Sequence, residues 1–163
     1  MTPYNLVIID MQPSFPACQH KPTIKTIREE IREAKRVGAA IIVVEMKSAG
    51  TTIPEVMDLV GDYEKSVLIE KLDTSGASEI LDAIRRNDFL HRNRFRVTGV
   101  YTDVCVADTV NKLAQFDDLE IEVLVEGCYS GAPAYPNRHT MYTDGKYDYF
   151  KAIRPNDNVS LVY

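Results

Sequence analysis

Apolar positions along this chain recur in two alternating rhythms. Asn5-Leu6-Val7-Ile8-Ile9 is a short apolar run of the kind expected for a strand buried on both faces. Ile24, Ile27, Ile31, Ala34 and Val37 then step by three and four and predict an amphipathic helix, closed by Gly38. Ala40-Ile41-Ile42-Val43-Val44 predicts a second buried strand. Residues 48–62 are less regular and predict a loop with one short helix around Pro54–Val60. A third strand is expected at Val67-Leu68-Ile69-Glu70, ending in Lys71, and Ile80, Leu81 and Ile84 mark a helix to about Arg86. Arg94 to Gly99 predicts a fourth strand, with a helix after Cys105 carried by Val106, Thr109, Val110, Leu113 and Ala114. Ile121–Val125 and Val159–Val162 predict the fifth and sixth strands, and the tyrosine-rich stretch Pro133 to Phe150 is expected to hold a helix plus a loop near a sheet edge or subunit contact.

Repeated β–α units with short connections imply a three-layer α/β/α fold around a six-stranded, mostly parallel sheet. With no internal repeat, low-complexity segment or linker, the 163 residues are expected to form one domain, 1–163. Charged residues at 26% and hydrophobic ones at 45% are ordinary for a soluble globular protein. A formal net charge of −5 argues against nucleic acid as a partner. No apolar run approaches the roughly 20 residues of a membrane helix, so no membrane partner is expected. Met1-Thr2-Pro3-Tyr4 carries no basic n-region, and three cysteines without a CxxC form neither a disulfide framework nor a zinc site. A cytoplasmic location with free thiols is therefore expected.

In open α/β sheets, ligands bind outside the carboxyl ends of the strands. Three reactive residues follow strands there: Asp10 after the first, Lys71 after the third and Cys105 after the fourth. Cys105 sits where a helix is expected to begin, and the unpaired N–H groups of a helix start favour a thiolate. Lys71 favours the same anion, while Asp10 can take the thiol proton and return it to a leaving group. Each residue alone also fits a structural role: Cys105 as a small core residue, Asp10 as a turn cap, Lys71 as a charge carried to solvent. Their joint placement favours acyl transfer through a thioester.

The motifs around these residues resemble those of the isochorismatase-like cysteine hydrolases, which include nicotinamidases and N-carbamoylsarcosine amidases. Leu6-Val7-Ile8-Ile9-Asp10-Met11-Gln12, with Phe15 beyond it, looks like that family's first strand and general-base aspartate. Lys71 after Val67-Leu68-Ile69 matches its lysine, and Gly99-Val100-Tyr101-Thr102-Asp103-Val104-Cys105-Val106 its nucleophile segment. The resemblance implies an Asp10/Lys71/Cys105 triad, a Rossmann-like sheet and a cis peptide between Val100 and Tyr101. That bond would turn the Tyr101 N–H toward the Cys105 N–H as an oxyanion hole. It also implies a homo-oligomer acting on a small molecule, with Phe15, Thr102 and Tyr129 as candidate substrate contacts.

The chain departs from the nicotinamidase pattern in the loop Glu45-Met46-Lys47-Ser48-Ala49-Gly50-Thr51-Thr52-Ile53-Pro54, which holds no histidine or aspartate. His20, His91 and His139 are widely separated, so neither a metal nor another cofactor is expected. Leu72-Asp73-Thr74-Ser75-Gly76-Ala77-Ser78 lacks the phenylalanine common after the lysine. Relatives that cleave the vinyl ether of isochorismate lack the cysteine, so Cys105 points to amide or ureide C–N cleavage. A non-catalytic binding or scaffold subunit of the same fold is the alternative. A receiver-like signalling domain lacks its acidic pair here, a Cys-x₅-Arg enzyme meets Asn111 instead of arginine, and no GxGxxG follows the first strand.

Overall fold

In the computed structural model, which describes residues 3–163, six parallel strands form one sheet whose spatial order is Ser66–Lys71, Ala40–Met46, Asn5–Ile9, Arg94–Val100, Glu120–Tyr129 and Val159–Val162. Met1 and Thr2, which open the expected domain, lie outside the described residues. The strands are β1 (Asn5–Ile9), β2 (Ala40–Met46), β3 (Ser66–Lys71), β4 (Arg94–Val100), β5 (Glu120–Tyr129) and β8 (Val159–Val162). Helices α1 (Lys21–Val37) and α2 (Pro54–Val60) cover one face, and α3 (Ala77–Arg86) and α4 (Ala107–Leu113) cover the other. A two-stranded hairpin, β6 (Tyr142–Thr143) and β7 (Lys146–Tyr147), lies outside the main sheet.

Two apolar clusters result, one on each face of the sheet. Leu6, Ile8, Ile41 and Val43 meet Ile27, Ile31 and Ala34 of α1, while Val7, Ile9, Ile42 and Val97 meet Ile80, Val110 and Leu113. Strand β1 thus feeds alternate side chains to both layers, which is why its sequence shows no polar alternation. At the end of α1, Gly38 adopts φ 71° and its N–H donates to the Ala34 and Lys35 carbonyls, as the helix-stop pattern predicts. An ion cluster pins α1 to the sheet: Arg96 on β4 pairs with Glu30 and Glu122 at 2.9 Å each and lies over the Tyr4 ring.

Three elements differ from the sequence reading. Pro133 to Phe150 contains no α-helix; it forms a strap of short 3₁₀ turns around the β6–β7 hairpin. Its apolar residues are too sparse to build a helical stripe, so side-chain hydrogen bonds hold it instead. Strand β5 runs on to Tyr129, past an irregularity opposite Val97–Gly99, so Cys128 lies inside the strand rather than after it. Finally, α4 begins at Ala107: residues Thr102–Val106 form a single π-turn ahead of it, and Cys105 lies in that turn.

Candidate active site

Chain order and strand order disagree between β1 and β4. The chain runs outward through β2 and β3, then returns to lay β4 on the other side of β1. Such a reversal opens a crevice at the carboxyl ends of the strands. Asp10 and Cys105 flank it, and Lys71 reaches it from the edge strand across β2, about 10 Å given the spacing of neighbouring strands.

Lys71 Nζ lies 2.9 Å from Asp10 Oδ2, and both side chains are almost wholly buried, 0% and 1% exposed. The same ammonium donates to the Asp73 and Thr74 carbonyls at 3.0 Å each, while its contact with Asp10 is an ion pair. A side chain at Gly76 would crowd the buried Lys71 stem, since a Cβ there would stand 3.3 Å from Lys71 Cδ and 3.1 Å from Val44 Cγ1. Asp10 has φ 53°, a left-handed conformation that aspartate tolerates better than most residues, and it turns the chain sharply off the end of β1.

The nucleophile segment depends on Gly99. With φ 126°, a Cβ there would fall 2.1 Å from the Ile9 carbonyl oxygen, so only glycine lets β4 lie against the end of β1. The peptide between Val100 and Tyr101 is cis. The π-turn follows, with the Val104 and Val106 N–H groups both donating to the Tyr101 carbonyl. Cys105, 5% exposed, is buried beside Asp10 and Lys71, whose opposite charges both act on its thiol, and neither Asp10 oxygen is engaged in a well-aligned hydrogen bond.

Electrostatics here differ from the helix-start expectation. Burial, followed by the charge of Asp10, pushes the Cys105 thiol up to about 12, while Lys71 pulls the other way. Burial also raises the Asp10 carboxyl above its ordinary value, against the downward pull of Lys71 and the Cys105 thiol. Burial thus favours a protonated Cys105 thiol at rest, not a preformed thiolate. Desolvation outweighs any favourable helix end because α4 starts two residues after Cys105 and is itself short.

The other predicted residues divide between the crevice rim and the interior. Phe15 and Tyr101 are half-buried and meet edge to face, with centroids 5.8 Å apart. Tyr129 is stacked on His20 at 3.7 Å, a partner the sequence did not suggest. Thr102 is buried within the π-turn. Cys18 and Cys128 are buried free thiols like Cys105, and Cys128 is also pushed up to about 12 by burial. Clear surface grooves lie away from the thiol: one of about 500 Å³ runs along α1 between Ile24, Arg28, Arg32 and Glu55, and another of about 360 Å³ borders His20, Thr23 and Glu126.

Three polar side chains that sequence reasoning passed over hold the site's frame. Gln12 donates to the Met46 and Gly50 carbonyls and accepts from the Met46 N–H, which clamps the loop after β2. Glu45 Oε1 accepts from the Thr52 N–H and hydroxyl, closing the same loop. Asp103 accepts from Ser130, Ala134 and Tyr147. The only sequence signal for Gln12 and Asp103 was their position two residues from Asp10 and Cys105. Glu45 stood only as the first residue of the loop expected after the second strand, and the structure places it within β2.

A three-layer α/β architecture, with thiol, carboxylate and ammonium gathered at its topological switch point, describes a class of hydrolases. A family model for the isochorismatase domain matches residues 4–143, and the chain belongs to that family. Among solved structures it is similar to the nicotinamidase of Staphylococcus aureus (TM-score 0.66, 20% identity, covering 80% of this chain and 86% of that one). It is likewise similar to a pyrazinamidase of Pyrococcus horikoshii in complex with zinc (TM-score 0.68, 19% identity, 99% of each chain). A further similar structure is the MAR1 ribonuclease of Caenorhabditis elegans (TM-score 0.68, 21% identity, 80% of this chain and 67% of that one). Among curated proteins no sequence match is found. At these identities the structural likeness speaks for the fold.

Zinc, present in the Pyrococcus horikoshii structure, does not fit this donor set. Among the described residues no three His, Cys, Asp or Glu side chains converge in a way that could hold a metal ion. In the loop after β2, the Glu45 carboxylate is taken up by Thr52 instead. No helix among the described residues is long and apolar enough to cross a membrane.

Proposed function

We propose that this isochorismatase-family hydrolase uses Cys105 as the nucleophile on an amide- or ureide-type C–N bond of a small molecule. The observation that carries the reading is the buried Asp10–Lys71 pair, 2.9 Å apart, with both charges acting on the buried Cys105 thiol. A carboxylate raised by burial is a better base than an ordinary aspartate, and a thiol pushed up to about 12 needs one.

Asp10 removes the thiol proton as the Cys105 sulfur bonds to the substrate carbonyl carbon. Lys71 balances the charge on sulfur and carboxylate. The developing oxyanion is received by the Tyr101 and Cys105 N–H groups, and removal of one such donor typically costs about 10²–10³ in turnover. The C–N bond then breaks, the departing amine takes the proton from Asp10, and a thioester remains. Water attacks the thioester, gives a proton to Asp10 and releases the acid, and that proton returns to the Cys105 sulfur. Phe15, Tyr101 and Tyr129 form the apolar side of the substrate position, with Thr102 beneath. No step passes through a metal.

The near-complete burial of Cys105 favours one alternative, a non-catalytic subunit of the same fold that keeps the triad but admits no substrate. A screen for ammonia release from small amides, ureides and carbamoyl compounds, with Cys105→Ala as blank, separates the two. Release that vanishes in the variant supports the hydrolase; no release from any compound leaves the binding-subunit reading standing.

A further inference from the structure

Asp103 is a buried carboxylate, 1% exposed, which the proposed chemistry does not use. Its Oδ1 accepts from the Ser130 hydroxyl at 2.6 Å, and its Oδ2 accepts from the Ala134 N–H and the Tyr147 hydroxyl, both at 2.9 Å. Its own N–H donates to Ser130 Oγ at 3.4 Å. One side chain therefore joins three separate pieces of the molecule: the exit of β5 at Ser130, the start of the strap at Ala134 and the β7 strand at Tyr147. All three are tied to the middle of the π-turn, two residues before Cys105.

The strap also closes on that turn through apolar contact. Phe150 and Ile153 pack on the cluster that contains Cys105, and the 3₁₀ turn at Tyr149–Ala152 lies against Thr102–Val106. Farther along, Asn111 on α4 donates to the Ala152 carbonyl at 2.9 Å and accepts from the Arg154 N–H at 2.8 Å. The strap has no α-helix of its own to give it rigidity. Its position over the turn thus rests on these apolar contacts together with hydrogen bonds gathered at Asp103 and Asn111.

We propose that Asp103 is a positioning residue: it locks the nucleophile turn and the strap into one unit, so that Cys105 is held in register with the wall of the crevice. This inference rests on the proposed cysteine-hydrolase reading for its catalytic consequence, though not for its structural one. The role is geometric and predicts a specific pattern of substitutions. In Asp103→Asn, the Ser130 hydroxyl can rotate to accept from the new amide N–H. The amide oxygen then takes the place of Oδ2 and still accepts from Ala134 and Tyr147. In Asp103→Ala all of these acceptors are gone, and the Ala134 N–H and Tyr147 hydroxyl lose their partner. Tyr147→Phe cuts the tie to β7 and also removes the acceptor of the Tyr135 N–H, 3.2 Å away within the strap.

The test uses the full chain with Cys18 and Cys128 replaced by alanine, and reads three quantities. These are the rate of Cys105 alkylation by iodoacetamide, amide hydrogen exchange across residues 131–147, and turnover with its pH profile on a substrate found by the ammonia screen. Tyr147→Phe is expected to speed exchange in the strap, at amides other than Tyr135, by about 10- to 100-fold, the range for a hydrogen bond to a charged group. Asp103→Ala is expected to change the Cys105 alkylation rate and lower kcat by about 10²-fold, as for a misplaced reacting group, with an unshifted pH profile. Asp103→Asn is expected to recover most of that loss.

A folded Asp103→Ala that matches the parent in alkylation, exchange and kcat overturns the proposal. So does an Asp103→Asn as damaging as alanine with a displaced pH profile, which would make Asp103 a participant in proton transfer. If Asp103→Ala does not fold, Tyr147→Phe decides: unchanged strap exchange and unchanged alkylation overturn the coupling. A parent protein that hydrolyses nothing defeats the hydrolase reading alone, because alkylation and exchange still judge the role of Asp103.

Discussion

Replacing Lys71 by methionine keeps most of the buried stem and removes only the ammonium. Asp10 Oδ2 then loses its partner at 2.9 Å inside a site where both groups are almost fully shielded from water. The Asp73 and Thr74 carbonyls lose theirs at 3.0 Å. Breaking a buried ion pair from one side costs about 3–5 kcal/mol, against a total stability of roughly 5–15 kcal/mol. For a chain of this length each kcal/mol moves Tm by roughly 2–4 °C, so a fall of roughly 6–20 °C is expected. The loss should also depend on pH. Burial already holds the Asp10 carboxyl above its ordinary value, and without Lys71 it rises further. An unfolded aspartate titrates near ~3.9, so above that pH the folded variant carries a proton that the unfolded chain has released. Stability of the variant therefore falls as pH rises from ~4 through the folded Asp10 value, and the penalty is smallest in acid. Thermal unfolding followed by circular dichroism at about pH 4.5 and about pH 7.5 measures both effects. A loss below about 1 kcal/mol, or an equal loss at the two pH values, would refute a buried, charge-balanced pair.

Further outcomes follow from the same geometry. Gly99→Ala places a Cβ 2.1 Å from the Ile9 carbonyl oxygen at φ 126°, so a destabilisation above about 4 kcal/mol is expected in denaturant titration. With the thiol pushed up to about 12, a Cys18→Ala, Cys128→Ala protein should show only about 1% thiolate absorbance at ~pH 10. Because the folded thiol titrates above the unfolded ~8.5, that group's contribution to stability is lost as pH rises past ~8.5, visible as a falling Tm. Cys105→Ser should abolish turnover on any substrate found by the ammonia screen, and chelator treatment should leave turnover intact; activity lost to chelation and restored by a divalent metal would show that the donor set was misread.

The parallel α/β sheet was legible in the chain itself because its strands are buried on both faces, and a doubly buried strand must be a continuous apolar run such as Leu6–Ile9 or Ala40–Val44. Helix α1 and its Gly38 stop were legible for an equally local reason, a three- and four-residue apolar spacing ended by a glycine with positive φ. Reactive residues at strand ends, Asp10, Lys71 and Cys105, were visible because the topology of such sheets sends strand ends to one crevice. Tertiary structure alone decided the rest. How deeply the thiol is desolvated depends on packing from strand, turn and strap together, so a cysteine expected to ionise easily is instead held protonated. The strap between Pro133 and Phe150 was misread as partly helical because its fold is set by hydrogen bonds to Asp103, about thirty residues or more away in sequence, and no local spacing encodes such a partner.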